Sequence, residues 1–139
     1  MIRLHHVNLS WVDVPAMAAF YEKVLGLPRD ESMSSMLLGE MRDADAAFLD
    51  GGGTGLHLSP IDHGVPYRHN QSLNPVDRGH IAFRTDDLDA VKAALRANGV
   101  PFADYGVWSV AGWNQIFFQD PAGTVVEVHQ LEEEPGPQA

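Results

Sequence analysis

The sequence predicts an α+β fold of two βαβββ units whose strands form one curved mixed sheet or open barrel, and three observations carry that prediction. Strand-like alternation gives way to a helical repeat and then to further strands, twice within 139 residues. The second pass can be laid on the first at both ends without gaps. The polar residues that interrupt the apolar pattern fall at matching places in the two passes.

Leu4 to Ser10 alternates, with Leu4, His6, Asn8 and Ser10 on one face and His5, Val7 and Leu9 on the other, as a strand with one polar face does. Asp13 can cap a helix with Pro15 in its first turn, in which Met17, Phe20, Tyr21 and Val24 recur at helical spacing before Gly26 ends it. Met36-Leu37-Leu38, Ala46 to Leu49 and Gly55 to Ser59 then read as three strands joined by turns. Residues 61–77 carry Gly64, Pro66, Asn70, Asn74 and Pro75 without periodicity and read as a connecting loop. After it come a strand at His80 to Arg84, a cap at Asp86 or Asp87, and a helix carrying Leu88, Val91, Ala94 and Leu95 that ends near Gly99. Phe102 to Trp108, Gln115 to Phe118 and Thr124 to His129 complete the second set of strands. The units therefore span about 2–60 and 78–131 of one domain covering 1–131, and the acidic, Pro- and Gly-containing stretch 132–139 reads as a disordered tail.

Composition narrows the function. Nine Lys and Arg against nineteen Asp and Glu give a net charge of −10, with no basic stripe to follow a phosphate backbone, so nucleic acid is not an expected partner. No run approaches the roughly 18 apolar residues that span a bilayer, and the N-terminus has no basic segment leading an apolar one, so a soluble cytoplasmic chain without membrane contact is expected. Cysteine is absent, which removes thiolate ligands and nucleophiles and leaves any metal to His, Asp and Glu.

With His6 set on His80, Val7 meets Ile81, Leu9 meets Phe83 and Asp13 meets Asp87. With Asp50 set on Asp120, Gly53 meets Gly123, Leu56 meets Val126 and His57 meets Glu127. His6, His57, His80 and Glu127 thus occupy two equivalent sites, each used twice, on the first and last strands of each unit. Their strand neighbours are apolar, so all four point to the face opposite the packed one. That face forms a cup whose walls are expected to include Asn8, Ser10, Ser59, Arg84 and His129. Imidazoles with a carboxylate suit one divalent ion such as Zn²⁺, Ni²⁺, Fe²⁺, Mn²⁺ or Co²⁺ rather than an all-oxygen Ca²⁺ cage.

Leu4-His5-His6-Val7-Asn8-Leu9 before Phe20-Tyr21-Glu22-Lys23-Val24-Leu25-Gly26-Leu27, then Gly79-His80-Ile81-Ala82-Phe83 and Asp120-Pro121-Ala122-Gly123-Thr124-Val125-Val126-Glu127, resemble a known pattern over about residues 2–131. The chain resembles the modules of the vicinal oxygen chelate superfamily, which includes glyoxalase I, fosfomycin-resistance enzymes, extradiol dioxygenases and methylmalonyl-CoA epimerase. The resemblance implies a glyoxalase-like fold and His6, His80 and Glu127 as the shared His, His, Glu triad. His57 matches a position that is a ligand in glyoxalase I and the epimerase and is no ligand in the dioxygenases.

Members of this class let two neighbouring substrate oxygens reach the metal, which implies a small-molecule substrate and lyase, isomerase or dioxygenase chemistry. Glu127 or His57 would serve as the base where one is needed. The resemblance also implies a homodimer with the four ligands divided between subunits, a one-chain site being the alternative. The competing class is a non-catalytic binding protein of the bleomycin-resistance type, whose members generally lack the ligands retained here. Asn8 stands where fosfomycin-resistance enzymes carry Thr, and Arg84 is the single cation on the cup strands, so neither a phosphonate nor a glutathione conjugate is favoured.

Other polar residues have plainer readings. His5 is expected to face the packed side as a structural residue. His63 and His69, with Tyr67 and Arg68, fall in the loop and read as solvated or substrate-gating rather than as ligands. Trp108, Trp113, Asn114 and Gln115 flank a Gly-containing stretch and line the cup or close its rim, compatible with an apolar or ring-shaped substrate.

Overall fold

The computed structural model describes residues 1–133, so most of the acidic tail expected at 132–139 lies outside the described residues. The first half consists of β1 (Arg3–Trp11), α1 (Val14–Val24), the short helices α2 (Glu31–Ser34) and α3 (Gly39–Asp43), β2 (Ala47–Asp50) and β3 (Gly55–Pro60). A short helix, α4 (Val65–Arg68), sits within the connecting loop. The second half is β4 (Gly79–Arg84), α5 (Leu88–Ala97), β5 (Phe102–Val107), β6 (Trp113–Gln119) and β7 (Val125–Leu131).

One curved, unclosed sheet carries seven strands in the order β2-β3-β1-β4-β7-β6-β5. In each half the first strand pairs parallel with the last, β1 with β3 and β4 with β7, and the preceding strand adds antiparallel. The halves join through β1 and β4, which run antiparallel, so two similar units face each other about the β1–β4 seam. No described helix is long and apolar enough to cross a membrane.

Repeated local chemistry makes the repeated elements. The carboxylates of Asp13 and Asp87 accept from the N–H groups of Ala16 and Ala90, 3.0 Å in each case, and satisfy donors that a helix start leaves free. Gly26 and Gly99, at φ of +71° and +68°, follow the two helices in the left-handed conformation that closes a helix end. Asp50 and Asp120 fold back on the N–H groups of Gly52 and Ala122 to make matching turns before the last strands. Replacing Asp87 with Ala is expected to lower the unfolding free energy by about 1 kcal/mol, read as a shift of the urea midpoint at unchanged slope.

Alternation then decides what is buried where. Val14 and Ala18 of α1 pack on Ala47, Leu49 and Leu58, while Leu88 and Leu95 of α5 pack on Ile116 and Val128. A third cluster, Val65, Val76, Trp108 and Phe117 with Met41 and Tyr105 against it, lies on the other face of the sheet and roofs it.

The strand expected at Met36-Leu37-Leu38 does not form. Helices α2 and α3 flank it, and Leu37 makes a single bridge to Val110. An apolar triplet is equally suited to a buried turn, and here Leu37 is used as part of the roof, which leaves the sheet one strand short of eight.

Candidate metal centre

His6, Ala82 and Glu127 fall in one cross-strand row, His6 opposite Ala82 and Ala82 opposite Glu127. The two functional side chains share a face and lean over a residue with only a methyl group. On the other side of His6 the row continues to Gly55, where a Cβ would stand 3.1 Å from His57 Nε2 and 3.3 Å from His6 Cβ. Small residues on both sides thus leave room for imidazoles. His80 enters from the next row, opposite Asn8.

One ligand atom from each of His6, His80 and Glu127 lies within 4.8 Å of the other two, and all three residues are buried. His6 Nε2 is 3.5 Å from Glu127 Oε2, and His80 Nε2 is 3.9 Å from Oε1. His57 is buried beside them but does not join this group. Its ring stacks on that of His6, centroids 3.8 Å apart at 17°, with Phe48 edge-on at 4.5 Å.

Each of the three donors is turned by a partner behind it. His80 Nδ1 lies 2.8 Å from the Pro75 carbonyl, an acceptor, so the proton sits on Nδ1 and the Nε2 lone pair is free. His6 Nδ1 is 2.9 Å from His5 Nδ1; donation from His6 leaves its Nε2 free in the same way. Glu127 Oε1 accepts from Gln115 Nε2 at 2.7 Å, and Oε2 accepts from His129 Nδ1 at 2.8 Å.

Charge is sharply divided. Burial holds His6 and His80 below the ordinary histidine value and lowers His57 to about 3, so all three are neutral at pH 7. Burial also works against charge on Glu127, but His6, the N–H of His129 and His80 outweigh it and keep the carboxyl below its ordinary range. A buried negative charge among neutral imidazoles, with one ligand atom from each of His6, His80 and Glu127 within 4.8 Å of the others, matches a borderline divalent cation in both charge and donor type.

The cavity above the donors is small, about 40 Å³, with Asn8, Ser59, His57 and Gln115 on its floor. Leu37, Met41, Val76, Trp108, Val110 and Trp113 form apolar walls and roof. Glu40 bolts that roof down: its carboxylate accepts from Trp108 Nε1 at 2.9 Å and Arg68 Nε at 2.5 Å and also bonds His69. A larger cleft, about 1120 Å³, opens beside Val7, Leu9, Ile81 and Phe102 and holds no second donor cluster among the described residues.

A model of the Glyoxalase/Bleomycin resistance protein/Dioxygenase superfamily matches residues 3–128. The chain belongs to that superfamily. Among relatives of this superfamily member, the uncharacterized protein YaeR of Escherichia coli K12 is 26% identical over 133 residues, covering 92% of this chain and 95% of YaeR. The hypothetical protein BH1468 from Bacillus halodurans C-125 superposes with a TM-score of 0.68 at 17% identity, over 96% of this chain and 97% of the other. Methylmalonyl-CoA epimerase from Mycobacterium tuberculosis superposes with a TM-score of 0.66 at 19% identity, over 94% and 88%. At those identities the two structures support the glyoxalase-like fold.

His6, His80 and Glu127 come together within one chain, the arrangement given above as the alternative to ligands divided between subunits. Arg84, His129 and Ser10 do not line the cavity. Ser10 lies behind it, bonded to Asn8 and Ser59, and the other two stand behind Glu127. His5 does not face the packed side, because a β-bulge between Leu4 and His6 breaks the alternation and sets its ring 5.2 Å from that of His6 and 4.9 Å from that of His129. His69 is tied to Glu40 and His63 is exposed near Asp77, neither in the donor group. Trp108, Trp113 and Gln115 do line the cavity, whereas Asn114 does not. The sequence reading missed Glu40 altogether, since nothing local marks a carboxylate whose partners are far along the chain.

Proposed function

We propose that this chain is a metal-dependent enzyme in which His6, His80 and Glu127 hold one divalent ion, Zn²⁺, Ni²⁺, Fe²⁺, Mn²⁺ or Co²⁺, and His57 moves a proton on a compact substrate with two adjacent oxygens. The convergence of three buried donors, each oriented from behind, carries this reading. When bound, the ion supplies Lewis-acid polarisation of the substrate oxygens. Three protein donors leave coordination positions open, which a four-donor structural site does not.

The division of labour follows from the contacts. Glu127 has a hydrogen-bond donor on each oxygen and would break both bonds to swing out as a base, so it stays a ligand. His57 keeps a neutral imidazole in the wall of the cavity that also holds His6, His80 and Glu127, and is the base that takes and returns the proton. That assigns isomerase or lyase chemistry. The small, aromatic-walled cavity selects a compact molecule, and a longer one would have to displace the roof held by Glu40. Homodimer formation would then serve stability or access rather than donor supply.

Metal analysis of wild-type chain and the His57→Ala variant tests both parts. Both are expected to hold one ion per chain with affinities within about threefold, whereas deuterium exchange into compact α-hydroxycarbonyl compounds is expected in the wild type alone and to fall by about 100-fold or more in the variant. No metal uptake by the wild type sinks the proposal. Metal-dependent oxygen uptake with catechols moves the chemistry to dioxygenation, and loss of metal from the variant makes His57 a fourth ligand.

A further inference from the structure

Glu127 is served by a longer chain of groups than the metal reading requires. His129, fully buried, donates from Nδ1 to Glu127 Oε2, and its other nitrogen, Nε2, lies 2.9 Å from Arg84 Nε. A guanidinium can only donate, so His129 Nε2 must accept. A neutral imidazole has one proton, and with Nε2 accepting, that proton is forced onto Nδ1, facing the carboxylate. Arg84 thereby selects the tautomer of a ring it touches on the side away from the site.

The surroundings hold the relay in place. Trp113 stacks on His129 at 4.1 Å and 10°, and the Arg84 guanidinium lies 5.1 Å from the Trp113 ring centroid. Glu127 Oε1 is fixed with equal definition: Ser109 N–H and Oγ both donate to Gln115 Oε1, so the Gln115 amide nitrogen must be the atom facing Glu127.

We infer that Arg84 and His129 are positioning residues that fix Glu127 as a charged donor of one orientation; the inference rests on the three-donor metal site proposed above. Without the guanidinium, His129 is free to carry its proton on Nε2. An unprotonated Nδ1 would then face Oε2, two acceptors would repel, and the carboxylate would turn. The same logic gives the residue choice at 84: a lysine carries the charge but not the planar Nε–H aimed along the ring plane.

The test uses the full chain, metal-free and titrated with Zn²⁺ against a chromophoric chelator. In the metal-free wild type, ¹⁵N shifts of His129 are expected to show the Nδ1–H tautomer, and Arg84→Met is expected to mix the two tautomers. Zn²⁺ affinity is expected to fall about 10-fold or more in Arg84→Met and in His129→Phe, the range for loss of an outer partner. His129→Asn, whose amide nitrogen can stand near the Nδ1 position, is expected to stay within about threefold of wild type. Thermal unfolding of each metal-free variant shows whether it folds, and His129→Asn keeps the test open if His129→Phe does not. Wild-type affinity in Arg84→Met overturns the relay while leaving the metal site standing. A wild type that takes up no Zn²⁺ overturns the metal site and the relay's purpose together.

Discussion

Replacing Glu127 with Gln is expected to weaken Zn²⁺ or Ni²⁺ binding by more than about 100-fold, beyond the 10- to 100-fold typical of losing an outer partner. The substitution removes the one buried negative charge among the donors. It also leaves two N–H donors, from Gln115 and His129, aimed at a side chain that has a single acceptor oxygen, so one of them must face an NH₂ group. His6→Ala and His80→Ala are expected to lose affinity on the same scale, because each removes one of the three donor atoms that lie within 4.8 Å of one another. Chelator competition at fixed pH reads the effect. If any one of the three variants keeps wild-type affinity, that residue is not a donor, and the site has to be redrawn around His57.

The contrast with His57 is the informative part of this series. His57 occupies the place in the first half that Glu127 occupies in the second, and a duplicated scaffold would make them equivalent. The packing breaks the equivalence. Gly55 leaves space beside His6, and His57 uses it to lie flat on the His6 ring rather than to turn its nitrogen toward the other donors. Glu127, by contrast, is oriented by Gln115 from the neighbouring strand β6 and by His129 two residues along its own strand.

What the sequence could and could not disclose follows the same line. Strand alternation and the repeat were enough to put His6, His57, His80 and Glu127 on one face, since a period of two is a property of the chain alone. Whether a side chain on that face reaches the centre depends on rotamer and on the size of its row neighbours. For that reason His57 could be placed but its stacking could not. Alternation likewise puts Arg84 and His129 on the correct face, but it does not show that they stand behind the carboxylate and not in the cavity wall. Alternation turns His5 the wrong way because the register of β1 shifts between Leu4 and His6; the shift lies before His6 and leaves His6, Asn8 and Ser10 on the expected face. The roof was illegible: its bolt joins Glu40 to Arg68, His69 and Trp108, contacts 28 to 68 residues apart in sequence. The absent strand at 36–38 belongs with it, because an apolar triplet shows that a segment is buried and not how.

The metal-free chain is expected to lose stability steeply as pH falls below neutrality. His57 has an unfolded value near 6.5 and a folded value lowered to about 3 by burial, with Glu127 opposing and His80, His5 and His129 adding to the fall. Above pH 6.5 it is neutral in both states and contributes no pH dependence. Below 6.5 the unfolded chain takes up a proton that the folded chain refuses, so the free energy of unfolding drops until the folded value is reached. At about 1.4 kcal/mol per pH unit, His57 alone removes roughly 2 kcal/mol between pH 6.5 and 5. His6 and His80 are lowered in the same direction and add to it, which is a large share of the roughly 5–15 kcal/mol that holds a domain folded. Urea unfolding of the metal-free protein at pH 7.5 and 5.0 measures the loss. In His57→Asn the same comparison should return a loss smaller by about 2 kcal/mol, whatever the variant's baseline, because only the slope with pH is compared. Equal losses in the two proteins would mean that His57 takes up its proton in the folded chain at the same pH as in the unfolded one, and that burial does not hold its imidazole neutral below pH 6.5.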